Sequence, residues 1–130
     1  MITQQLTPSV NLAIRLAELF VESCVAQSRG NEIEIDMSVF EEMFRAELSE
    51  VLPAQLIEPA MDKIGDQMCK YVTSTAFDIS MVAMQHISTT AGLMLFHACS
   101  QIYIGLHAAG VKDDTINRVN PVTEPWTPRR

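Results

Sequence analysis

ISMVAMQHISTTAGLMLFHACSQIYIGLHAAGV, residues 79–111, contains no Asp, Glu, Lys or Arg over 33 positions. The rest of the 130-residue chain carries 16 acidic and 9 basic side chains. A helix that faces water along its length carries charge every turn or two, so this stretch must be covered by its own chain, by a second chain or by lipid. It holds no proline, and Gly110 is placed to stop a helix. The reading is one long apolar helix over 79–109. Met81, Met84, Ile87, Leu95, Phe96, Cys99, Ile102 and Tyr103 spread over more than half of its circumference.

Upstream, three amphipathic stretches precede it. A first helix is expected over 8–28, with Thr7 as cap and Pro8 at the first helical position, where a missing N–H leaves nothing orphaned. Arg15, Glu18 and Glu22 fall on one face, expected to be exposed; Leu12, Leu16, Leu19, Phe20 and Val25 fall on the other. A second helix starts after Asp36 or Ser38, where Ser38 and Glu41 have capping-box spacing, and runs to about Val51. Glu41 and Arg45 have the spacing of a pair along one turn. A third helix is expected from Pro59 to about Phe77, with Met61, Ile64, Met68, Tyr71 and Val72 inward and Glu58, Asp62, Lys63, Asp66 and Lys70 outward. The run Thr73-Ser74-Thr75 predicts a break between Thr73 and Ser80.

The expected fold is all-α: a small bundle of three to four helices over 1–110, with a long apolar C-terminal helix. Residues 111–130, with Pro121, Pro125 and Pro128, read as an extended tail. Two short companions cannot sheath a rod of about 46 Å on all sides. Self-association through 79–109 is therefore expected, as an intertwined or side-by-side homo-oligomer, with a two-fold dimer as the commonest form. A transmembrane helix over 87–106 is the lipid alternative. Gln85, His86, His97, Gln101, His107 and five Ser or Thr weaken it, and no basic cluster marks one end.

Charge and composition narrow the function. Residues 1–78 hold 13 acidic and 5 basic side chains, which repels phosphate and disfavours direct nucleic-acid binding. The odd cysteine count, Cys24, Cys69 and Cys99, and the lack of a positive signal-like N-terminus point to free buried thiols and a cytoplasmic protein. No Gly-rich phosphate loop and no G-x-S-x-G occurs. Neither His97 nor His107 shares a helix face with Cys99, and the three histidines lie too far apart on one helix to share a metal ion. No cofactor and no enzymatic activity is expected.

Three functional readings follow. The first is a non-enzymatic interaction module, an adaptor, regulator or inhibitor. It meets a partner, basic in character, through the acidic region 32–50 (Glu41, Glu42, Glu47, Glu50) or through a tail bearing Trp126, Arg129 and Arg130. The second is a small-molecule-binding dimer around the polar stripe His86, Thr90, His97 and Gln101, which otherwise sets helix register. The third is a metal-dependent helical hydrolase using Glu58, Asp62 and Asp66, a face whose flanking Lys63 and Lys70 mark it as solvated.

Overall fold

The computed structural model describes residues 7–27, 36–84 and 90–116, apart from the side chains of residues 27, 82–84, 90 and 91. Five helices and one 3-10 turn form among these residues, and no strand. They are α1 (Pro8–Gln27), α2 (Met37–Val51), α3 (Ala54–Val72), α4 (Thr75–Met84), α5 (Thr90–Ala108) and the 3-10 turn Asp113–Thr115. The expected rod over 79–109 is thus described as two helices, and 85–89 lie outside the described residues. Five helices replace the expected three to four. The predicted break between Thr73 and Ser80 is present at Thr73–Ser74, where the Ser74 hydroxyl accepts from the Phe77 N–H at 3.3 Å and starts α4; the additional helix comes from the description of 79–109 as two.

α5 packs chiefly against α1 and α3, while α2 touches both α1 and α3, and α4 lies against α3 and α5. The core between them holds Leu16, Phe20, Leu48, Ile64, Met68, Met81, Met94, Ile102 and Leu106, all fully buried. An aromatic cluster sits inside it. Phe20 lies 4.7 Å from Phe40 and 6.1 Å from Phe77 between ring centres, and Tyr71 meets Phe77 edge-on at 5.2 Å. Burial pushes the Tyr71 phenol up to about 12.

Several boundaries shift for identifiable reasons. Of the two starts expected for α2, Asp36 is the cap: its carboxylate accepts from the Ser38 hydroxyl at 2.7 Å and from the Ser38 N–H at 3.0 Å, which hold its pKa below the ordinary value. The Leu52–Pro53 turn already starts α3, so Pro59 lies inside that helix instead of opening it. Its missing N–H falls opposite the carbonyl of exposed Gln55, where water can serve in its place. The inward face of α3 follows the expected pattern, with Met61, Ile64, Met68 and Tyr71 buried. Arg45 pairs across the α2–α3 gap with Glu58, not along its own helix with Glu41.

Glu18 is the larger correction. It is 2% exposed and Glu22 is half-buried, while Val25 is exposed. α1 touches both α2 and α5, so its open arc is narrower than its charges imply. Ala13 and Ala17, both fully buried, leave room for that close approach.

α5 ends at Gly110 as the sequence predicts. Gly110 has φ 86, the Val111 N–H donates to the Leu106 carbonyl at 3.0 Å, and the Gly110 N–H donates to the His107 carbonyl at 3.0 Å. This is a Schellman end, closed by the buried pair Leu106 and Val111. The chain does not leave the body at 110. Ile116 is buried as well, and Asp113 accepts from the Ser9 N–H at 2.9 Å and the Ser9 hydroxyl at 2.6 Å. A carboxylate 104 positions away thereby serves the open amides at the start of α1.

Candidate interaction surface

The inner face of α5 is built from residues that let neighbours come close. Met94, Ala98, Ile102, Gly105 and Leu106 are buried on it. At Gly105 the contact is with backbone: a Cβ there would stand 2.8 Å from the Ile64 Cα and 2.9 Å from the Ile64 nitrogen. The bare α-carbon sets how near α5 and α3 lie.

The opposite face of the same helix is open and apolar. Phe96 is 67% exposed, Leu93 52%, Ile104 47% and Tyr103 41%. With half-buried Ser100 and exposed His107 they occupy an arc of roughly 100° over about 21 Å, at 3.6 residues per turn and 1.5 Å per residue. Their spacing, 93, 96, 100, 103 and 107, alternates three and four, the repeat by which one helix presents a seam to another. Single exposed apolar residues are ordinary on a protein surface; a contiguous row of four on a helix without a formal charge is not. Phe96 is also tied to the interior. Its ring meets His97 at 5.9 Å, His97 stacks on Tyr71 at 5.8 Å, and Tyr71 joins the core cluster.

The expected polar stripe falls beside this row, not on it. His97 and Gln101 are half-buried at the border of the core, and His97 is engaged with Tyr71 of its own chain. His86 lies outside the described residues, as does the side chain of Thr90. Among the candidate acidic contacts, Glu41, Glu42 and Glu50 are exposed on α2, whereas Glu47 is 9% exposed beside Leu48. α2 is wedged against both α1 and α3, which covers that position. Trp126, Arg129 and Arg130 lie outside the described residues.

Glu58, Asp62 and Asp66 stand exposed on α3, with Glu58 engaged by Arg45. Among the described residues no group of three or more His, Cys, Asp and Glu side chains is placed to hold a metal ion. No described helix is long and apolar enough to cross a membrane. The thiols differ in setting. Cys24 is buried, and desolvation pushes it up to about 12; Cys99 is half-buried and raised by the same cause; Cys69 is exposed, against expectation, on the outer side of α3.

The signal for the open row was in the sequence. Small residues mark the inner face (Ala98, Gly105, Ala109), and the large apolar residues on the far side mark the outer one. Reading the helix as apolar all round merged two faces with different surroundings. Comparison with protein-family models, with curated proteins and with solved structures returns no match to this chain.

Proposed function

We propose that this chain is a non-enzymatic protein–protein interaction module that self-associates through the outer face of α5. The observation that carries this reading is the exposed row Leu93, Phe96, Tyr103 and Ile104 on a helix with no Asp, Glu, Lys or Arg. Covering it removes apolar surface from water at about 25 cal/mol per Å². The exposed Glu41, Glu42 and Glu50 on α2 leave a separate acidic surface for a basic partner, so association and partner contact need not compete.

Four side chains of this size offer about 450 Å² per copy, taking large side chains at 150–250 Å² each and the exposed fractions above. Two copies with their edges reach about 1,200 Å², the low end of specific interfaces, so association on the order of micromolar is expected. Light scattering tests it. The wild-type mass should rise from 14.5 kDa towards twice that value through the micromolar range. The Phe96→Glu variant should stay at 14.5 kDa with its helix content unchanged. A wild-type chain that remains at 14.5 kDa at several hundred micromolar refutes the reading.

A further inference from the structure

Resting on the self-association just proposed, we infer that the occupant of the α5 face is α5 of a second copy running antiparallel, with the two-fold axis level with Ala98. The row is not uniform in bulk. Leu93 and Phe96 stand at one end, Tyr103 and Ile104 at the other, and Ser100 makes a waist between them. Beyond Leu93, exposed Gly92 has open space where a Cβ would stand, with nothing within 4 Å.

Antiparallel pairing about position 98 sets Phe96 against Ser100 of the second copy, twice by symmetry, large on small at the centre of the row, and brings Leu93 against Tyr103 of the second copy on either side of it. Facing positions that alternate in size fill the space between two helices without voids. Parallel pairing sets like on like instead. Two Phe96 rings and two Tyr103 rings would hold the helices apart, and the Ser100 layer between them would stay hollow. Antiparallel helices further align their dipoles favourably.

Nothing in the row opposes a second copy. The chain has a formal charge of −7, but α5 itself carries no Asp, Glu, Lys or Arg. The estimated area of about 1,200 Å² meets what a weak specific dimer needs, so no larger partner is required to account for the face.

A nitroxide pair reads the direction. Ala108 is exposed at the flank of the row and makes a suitable site. A spin label at Ala108→Cys, in the full chain carrying Cys69→Ser and Cys99→Ala, gives one label per copy, because Cys24 is buried. About an axis at position 98, the two labels sit 20 helical rises apart, about 30 Å along the pair. Parallel helices 8–10 Å apart would hold them within about 20 Å. A dipolar distance of about 30 Å or more in a protein of dimer mass supports the inference; a distance under about 20 Å in a protein of dimer mass overturns it and leaves self-association standing. A monomer mass for the unlabelled wild-type chain overturns both. A second measurement needs no label. L93K and Y103E should each weaken the dimer at least tenfold, and the double variant should associate more tightly than either, because opposite charges then face each other across the axis. A double variant weaker than both singles overturns the antiparallel pairing.

Discussion

Gly105→Ala adds one methyl group at the crossing of α5 and α3, and the structure sets its cost. The new Cβ would lie 2.8 Å from the Ile64 Cα, 2.9 Å from the Ile64 nitrogen and 3.0 Å from the Lys63 carbonyl oxygen. Carbon atoms settle at about 3.5–4.0 Å, so the helices must part by about 1 Å. The obstructing atoms are helix backbone, which cannot swing aside as a side-chain tip does. Parting loosens the buried contacts that Ile64, Met68, Ile102 and Leu106 make around the crossing, an overpacking cost of about 1–3 kcal/mol. Replacing glycine by alanine inside a helix returns about 1 kcal/mol. The net expectation is a loss of about 0–2 kcal/mol. Gly65→Ala is the control, because it lies inside α3 and a Cβ there meets nothing within 4 Å. That variant should gain up to about 1 kcal/mol. Urea unfolding followed by circular dichroism, with both changes made in a Phe96→Glu background so that association does not enter, reads the difference from the midpoints at constant slope. The two variants should differ by about 1–3 kcal/mol, with Gly105→Ala the less stable. Equal stabilities, or a more stable Gly105→Ala, would refute the claim that bare backbone contact sets the α3–α5 distance.

Asp113→Ala should lower the melting temperature at neutral pH, because it removes the acceptor of both Ser9 hydrogen bonds. The Ser9 hydroxyl, and after it the Ser9 N–H, hold the Asp113 carboxyl below the ordinary value of 3.8. That contribution is therefore present above pH 3.8 and lost as the pH falls through the lower folded value, so wild-type and variant melting curves should converge in strong acid. Gly110→Ala should lower the melting temperature, since a side chain at φ 86 costs roughly 1–2 kcal/mol; a variant as stable as wild type would deny the left-handed end its role.

How much of this was legible depended on whether charge marked the water side. α3 was legible almost residue by residue, because Asp62, Lys63, Asp66 and Lys70 outline one side and Met61, Ile64, Met68 and Tyr71 the other. Its ends were misplaced: α3 runs from Ala54 to Val72 instead of from Pro59 to Phe77, with Pro53 and not Pro59 at its start. The Gly110 stop and the break near Thr73 are local chemistry and could be read directly. Glu18 misled for the opposite reason: a carboxylate marks water only where no neighbour covers it, and α1 is covered by two helices. The separate faces of α5 had no charge to mark them. Of the polar stripe only His97 and Gln101 have described side chains; both are half-buried while the exposed row beside them is apolar, so polarity and exposure do not coincide on this helix.

That last mismatch bears on function. The open positions of α2 include Glu41, Glu42, Arg45 and Glu50, and those of α3 include Glu58, Asp62, Lys63, Asp66 and Lys70. The chain therefore has no shortage of charge for surfaces that stay wet. α5 is open along one side as well, yet places Leu93, Phe96, Tyr103 and Ile104 where they place carboxylates and amines. A helix needed only to fill the core would require the inner face, Met94 to Leu106, and would gain solubility from any charge on the outer one. An outer face kept apolar over three turns imposes a solubility cost, which the pairing proposed above with a second copy of the same face would offset.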